Sequence, residues 1–510
     1  MEGDGGEEGG VESLLKWACE LGVSDSFPPK TAAQPRTASC LGRTLSVSDF
    51  PEAGGRGLGA VRDVRKGEMV LKVPRSCLLT TERLLMDDQC LCAAVKNRRS
   101  LSATQTLTVC LLYEVGKGEK SWWYPYLKNL PRSYSTLPTF RQFAVQAFQV
   151  DDAIWAAKKA RWKAEAEWKE AHALMEELKF KPRLLTFNSW LWASATISSR
   201  TLHVPWDEAG CLCPVGDLFN YAAPGGDLAE ADNIILTRSV PVGSLSNEEA
   251  EYNSKLEQLD TLSQRLTDGG FEESVNAYCF YARQHYVRGE QVLLSYGTYT
   301  NLELLEHYGF LLDNNPNDKV YIPLEPGVSS CSSWPSESLY INQGGEPSYA
   351  LLSTLRLWAT PSNQRRSVGH LAYSGSQLSP ENEMCVMHLM LKWCNTILQN
   401  LPTSIEDDQR LLCSLNQVDS IDTPVELLEV FVKLGAEGRA FLESLGLRSR
   451  ANVAESMSWK IERALERWKL AVQWRLRYKR TLVDCITYCS NIIDCIHSPG
   501  PLEMEVLTDV

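Results

Sequence analysis

The chain predicts an α+β protein, a β-rich body interrupted by a helical insert and followed by a helical lobe. Three observations carry this. Short strand-like runs occupy residues 45–73 and return at 211–295. Between them, residues 81–195 read as mainly helical. From Tyr349 to Ile496 the chain again reads as mostly helix.

Composition bounds the rest. A length of 510 residues fits two to four domains. Hydrophobic residues make up 44% and charged residues 23%, enough to bury a sizeable core. The net charge of −13 argues against nucleic-acid binding through general backbone electrostatics, which needs a basic surface. Met1–Gly10 is rich in Gly and Glu, unlike a secretory signal or an Arg-rich transit peptide. No apolar run approaches the roughly 18 residues of a membrane span. The expectation is an intracellular soluble protein, cytoplasmic or nuclear rather than chloroplast, with its 16 cysteines reduced. Its 15 tryptophans read as core and interface residues.

The elements follow in order. Residues 1–38 read as a tail, a short helix Val11–Leu21 ended by Gly22, and a polar linker. Residues 39–315 form one expected domain carrying the helical insert. Within it, Leu45–Val47 precedes a Gly-rich turn, Gly54–Gly59. Strands Ala60–Val64 and Met69–Val73 then flank Arg65–Glu68, and Pro74 closes the second. In the insert, Leu101–Tyr113 and Asp151–Phe180 are helical. The latter mixes Lys158, Lys159, Arg161 and Lys163 with Glu165 and Glu167, and sets Trp155 and Trp162 one heptad apart, as on a solvated face. Strand-like runs return at Cys211–Val215, Asn233–Thr237, Asn276–Ala282 and Gln291–Ser295. An amphipathic insertion fills 243–268, ended by Asp268-Gly269-Gly270. Residues 316–345 are a linker, 346–497 a helical lobe and 498–510 a tail. In the lobe, Ile461, Leu465, Trp468, Val472 and Leu476 share one helix face with Lys and Arg opposite, and Cys485, Cys489, Ile492 and Ile496 continue the stripe.

Several motifs are weighed and set aside. Gly55–Ala60 matches G-x-G-x-x-A, but no long helix follows to hold a pyrophosphate, so a dinucleotide fold is not expected. A β-turn whose glycines let a ligand approach, or a plain hairpin, fits better. Cys90/Cys92 and Cys211/Cys213 lack a matching second pair, and Cys485, Cys489 and Cys495 fall at helix-face spacing. Buried thiols are expected and no metal. His307 reads as a packed helix residue. Neither a G-x-S-x-G elbow nor a G-x-x-x-x-G-K-[ST] loop is present.

Three segments taken together resemble a known family. They are Gly55–Pro74; Ser198-Ser199-Arg200 with Pro214–Tyr221; and Gly289–Phe310. Their order and character resemble the SET-domain methyltransferases of the Rubisco large-subunit methyltransferase type, which include the actin-histidine methyltransferases. Ser121–Pro131 resembles that group's insert. The resemblance covers roughly residues 40–500. It implies a SET-domain β-fold with a knot-like core, a helical insert and a helical lobe that recruits substrate, for which 349–360 and 458–496 are the expected contacts.

The same resemblance implies S-adenosyl-L-methionine as cofactor. Arg56, Gly57 and Leu58 would offer it backbone groups, and Arg200 would hold its carboxylate end. Asn220 and its neighbour Tyr221 would bind the amino-acid portion and adenine, Asp217 would orient that segment, and Asn301 would complete the cofactor set. Tyr296 is the expected catalytic residue, near the transferring methyl and the incoming amine. Tyr308 would complete an aromatic wall of the acceptor channel. Two departures stand out: Tyr221 replaces the family's histidine, and 222–235 hold no aromatic residue. No post-SET cysteine cluster follows Gly309, so no zinc is expected. The implied partner is a protein, bound as a peptide segment in a channel. Neither nucleic acid nor membrane is expected, and the oligomeric state is open. Leu202, two residues after Arg200, is apolar where the histidine-methylating branch resembles a polar choice, which favours lysine of a non-histone protein. Histidine methylation, or a non-catalytic peptide-binding scaffold, are the alternatives.

Overall fold

The computed structural model describes residues 5–26, 39–51, 55–98, 100–223, 268–418, 430–446 and 459–497. The expected strand 233–237, the insertion 243–267, the tail 498–510 and most of the linker before residue 39 lie outside the described residues. Two compact units are present. One holds Met1–Thr139 and Ala160–Thr298, the other Phe140–Lys159 and Tyr299–Val510.

Among the described residues of the first unit there are nine short strands: β1 Leu45–Phe50, β2 Gly55–Ala60, β3 Met69–Pro74, β4 Thr201–Val204, β5 Asp207–Leu212, β6 Asn220–Tyr221, β7 Gly269–Glu272, β8 Ala277–Tyr281 and β9 Leu293–Leu294. They pair as small separate sheets: β1 with β2, β3-β8-β7, β4 with β5, and β6 with β9. This is an α+β fold of small sheets and many helices.

The Gly-rich segment corrects the expected turn. Gly55–Ala60 is a strand, paired antiparallel with β1 so that Leu58 faces Val47 and Ala60 faces Leu45. Its period is two after all. Gly55, Gly57 and Gly59 alternate with Arg56, Leu58 and Ala60, and Leu58 and Ala60 carry the buried side. The glycines leave the other face without side chains. Ala60–Val64 is not a strand. Residues 61–68 form a connection tied to 282–286, where Val64 N–H donates to Tyr286 O (2.9 Å) and Gly67 N–H to Ala282 O (2.7 Å).

Ahead of β1, Asp25 fixes the entry of the chain. Its buried Oδ2 accepts four backbone N–H groups, from Gly42, Arg43, Thr44 and Leu45, at 2.8–3.0 Å. The N-terminal helix is longer than expected and spans Gly5–Glu20. Its Trp17 meets Trp122 and Trp123 edge-on, with centroids 5.2 and 5.9 Å apart.

In the insert, Ala103–Lys117 begins with a capping box between Ser102 and Gln105. It buries Leu107 through Leu112 on all sides and packs on Phe187–Arg200. Arg161–Glu165 (3.2 Å) and Lys163–Glu167 (3.9 Å) are ion pairs on the expected solvated face, and Trp162 is 54% exposed.

The second unit is mostly helical. Pro380–Asn400 packs along Trp459–His497, whose Ile461, Leu465, Trp468, Val472 and Leu476 are buried as their spacing predicts. The same face also buries charge. Arg475 and Lys479 are both 1% exposed, closed around the buried Asp408, which accepts from Arg475 Nη2 (2.7 Å) and Lys479 Nζ (2.6 Å). The cysteines are all free thiols. Cys211, Cys213, Cys485 and Cys489 are buried, but Cys90 and Cys495 are exposed, because their helices end at the surface.

Candidate active site

The site begins where the chain enters β6. Val215 takes φ +71°, a conformation costly for a β-branched residue, just before the tight turn Gly216–Leu218. Gly216 is needed there, because a Cβ would stand 2.6 Å from the Phe280 ring and 2.7 Å from Cys213 Sγ. The turn delivers Asn220 and Tyr221 alongside Leu293 and Leu294 in a parallel pairing.

Two side chains then tie the segments in both directions. The Tyr296 hydroxyl donates to the Phe219 carbonyl. The Tyr221 hydroxyl donates to the Gly297 carbonyl at 2.8 Å, and the two rings stand 5.2 Å apart. Tyr221, standing where a histidine was expected, therefore uses its hydroxyl to hold the segment that carries Tyr296. Burial holds the Tyr296 phenol well above its ordinary pKa, so at neutral pH it acts as an O–H donor rather than a phenolate.

Behind this lies a buried polar network. The Asp217 carboxylate, 2% exposed, accepts from Tyr126 Oη (2.7 Å) and Arg200 Nη1 (3.0 Å). Arg200 Nη1 also donates to the Asp217 carbonyl (3.0 Å), and its Nε to Tyr134 Oη (3.2 Å). Burial alone would lower the Arg200 guanidinium. The Asp217 carboxylate and the two phenols hold it above its ordinary value instead. These donors of Arg200 are directed to the protein, so its visible work is to orient Asp217 and the turn behind Asn220.

The glycine face of β2 makes the third part. A Cβ on Gly57 would stand 2.6 Å from Gln291 Nε2 and 2.7 Å from Asn220 Nδ2. Both amide nitrogens are buried and have no hydrogen-bond partner among the described protein atoms. The bare glycine backbone lets both amides close against β2, beside the segment where the cofactor's amino-acid end is expected.

The remaining expected residues divide. The Arg56 side chain bonds to the insert, its Nη2 donating to the Asn129 carbonyl at 2.8 Å. Leu58 is fully buried and its carbonyl accepts from Val292 N–H (2.8 Å), so that backbone group serves the sheet and not a ligand. Asn301 belongs to the second unit. It is 1% exposed, its Nδ2 donates to Asp318 Oδ2 (2.8 Å), and its Oδ1 accepts from Leu312 N–H (3.0 Å). Tyr308 also belongs to the second unit, where its ring meets Tyr299 at 5.4 Å and Phe310 at 6.1 Å. His307 is partly buried in the same aromatic group. Sequence reasoning missed Tyr126, Tyr134 and Gln291. Tyr126 lies within the segment 121–131 already singled out, and Gln291 opens an expected strand. A polar residue there, on a strand facing glycines, was the available signal.

Comparison with known proteins agrees with this architecture. The profile of the family described as Rubisco LSMT substrate-binding matches residues 303–482. Protein SET DOMAIN GROUP 40 of Arabidopsis thaliana is 53% identical over 485 residues, covering 94% of this chain and 95% of that protein. Actin-histidine N-methyltransferase of Xenopus tropicalis is 24% identical, covering 80% of this chain and 66% of that protein. Among solved structures, the SET domain of LSMT bound to lysine and AdoHcy aligns with a TM-score of 0.56 at 16% identity, covering 96% of this chain and 92% of that one. The chain belongs to the SET-domain methyltransferase family, in the group that includes SET DOMAIN GROUP 40 and the Rubisco and actin-histidine methyltransferases.

Proposed function

We propose that the chain is an S-adenosylmethionine-dependent protein methyltransferase that methylates a lysine side chain of a non-histone protein. The observation that carries this reading is the two-way tie between residues 217–221 and 295–297, which sets Tyr296 against the backbone beside Asn220. The cofactor would supply an electrophilic methyl on a sulfonium. Gly57 and Asn220 would hold its amino-acid end, while Arg200 and Asp217 keep that wall in place. Tyr296, a neutral phenol, would orient the acceptor nitrogen and face the developing charge with a fixed dipole. As a phenol it keeps its own proton at neutral pH, so the lysine would lose its proton to another acceptor before transfer.

Leu202, on β4 two residues beyond Arg200, favours lysine, since it offers an imidazole no hydrogen bond. The relatives named for actin-histidine methylation support the alternative acceptor. The second unit would recruit the protein substrate through 349–360 and 458–496, a reading supported by the substrate-binding family match over 303–482. The test is transfer from methyl-labelled cofactor to proteins of a cell extract, followed by hydrolysis to amino acids. Labelled methyllysine is expected. Label in methylhistidine would move the chain to the histidine branch. Tight cofactor binding with no labelled protein would favour a scaffold.

A further inference from the structure

We propose that the cavity between residues 124–132 and the helix Phe187–Arg200 is a binding site for a small amphipathic carboxylate, an apolar or aromatic body carrying one carboxyl group. The cavity holds about 400 Å³, within the roughly 300–1,000 Å³ of small-molecule sites. All its walls belong to the first unit. The inference does not rest on the cofactor or on the acceptor of the methyl group.

Two elements supply the lining. The short helix Tyr124–Leu127 and the residues after it give the Tyr124 ring, the buried Leu127 and Leu130, and Pro131. The helix Phe187–Arg200 gives Trp192, whose ring is half-buried. These walls are fastened to each other, because Trp192 Nε1 donates to the Pro131 carbonyl at 2.8 Å. The first wall is also fixed by bonds outside the cavity. Tyr126 Oη donates to Asp217 Oδ2 (2.7 Å), and the Asn129 carbonyl accepts from Arg56 Nη2 (2.8 Å). Apolar surface here is held apart by polar bonds on other sides of the same segments, which is the preformed concavity a ligand site needs.

The charged groups select the ligand. Lys128 and Arg132 line the cavity, and among the described residues its one lining carboxylate is Glu114. That group is committed elsewhere. It is buried and accepts from Lys117 Nζ (2.5 Å) and Ser121 Oγ (2.6 Å). The Lys128 ammonium stands 5.9 Å from the centre of the Tyr124 ring, so a cation and an aromatic face occur side by side. An apolar body covers Leu127, Leu130 and the two rings, while a carboxylate meets the cations. In a chain of net charge −13, this preference for an anion is local and not a property of the general field. The volume suits one compact molecule, whereas an extended peptide would run beyond it.

The test is calorimetric titration of the full-length protein with 4-phenylbutyrate and with 4-phenylbutylamine, which keeps the body and reverses the charge. The acid should bind with a dissociation constant of about 1 mM or tighter, and at least about tenfold tighter than the amine. Lys128→Glu, at an exposed position, should weaken the acid about tenfold and cancel that preference. Val115 also lines the cavity, and Val115→Trp fills it without touching its charges, so binding of the acid should be lost. Lys128→Glu carries the comparison if Val115→Trp does not fold. No binding of the acid by the unsubstituted protein, equal binding of acid and amine, or binding that neither variant weakens overturns the assignment. Tighter binding of acetyl-Phe-Asp-amide than of the acid marks a peptide-docking surface and overturns the small-molecule reading.

Discussion

Asp217 accepts two buried donors, Tyr126 and Arg200, and is the counter-charge that lets Arg200 remain buried. Replacing it with Asn would leave a buried guanidinium without its carboxylate. Asp217→Asn should destabilise the protein by about 3–5 kcal/mol in denaturant unfolding, since breaking a buried pair leaves a charge uncompensated. Gly57→Ala acts differently. The backbone there needs no positive φ, but the added methyl would meet both amide nitrogens inside 2.8 Å. We expect near-normal folding and a loss of cofactor affinity of at least about tenfold by calorimetry, because the methyl pushes Asn220 out of the position the proposed site gives it. At this scale the sequence was legible through Asn220, Tyr296, Gly57, Arg200 and Asp217, which the fold gathers into one unit. Their partners were not. Tyr126 stands 91 residues from Asp217, and nothing local in either segment encodes that bond.

At the scale of elements, local patterns were readable wherever they were strong. The helix starts at Ser102 and Thr300 carry capping boxes, and the stripe from Ile461 to Leu476 is buried as spaced. The glycine strand β2 was misread because glycine is the strongest local turn signal, whereas its extended form is imposed by β1 and by the bridge to Gln291. Asn301 starts a helix inside the matching motif, and its side-chain bonds to Asp318 and Leu312 join residues far from it in sequence, which no local pattern encodes. The Asp25 clamp belongs to this scale too. Asp25→Ala would orphan four backbone N–H groups at the entry to β1. A destabilisation of about 1–3 kcal/mol is expected, measured by thermal or denaturant unfolding.

Across the molecule, burial leaves a signature in pH. Tyr126, Tyr278, Tyr296 and Tyr478 are all held above the ordinary phenol value, with burial as the leading cause. The unfolded phenols ionise near pH 10 while the folded ones keep their protons. Their contribution to stability is therefore complete below about pH 10 and is lost as pH rises toward the folded values. Denaturant midpoints should fall steeply across that range, with part of the phenolate absorbance of the 18 tyrosines withheld until unfolding. Midpoints that stay flat above pH 10 would contradict the burial of these rings. The central claim is that the paired segments 217–221 and 295–297 form a methyl-transfer site with Tyr296 at its working end. The most direct measurement compares protein labelling from methyl-labelled S-adenosylmethionine by the unsubstituted chain and by Tyr296→Phe. The account predicts labelled protein from the former, about a hundredfold less from the latter as for loss of one preorganised polar group, and equal cofactor affinity in both. Equal labelling by the two proteins, or none by either, would contradict it.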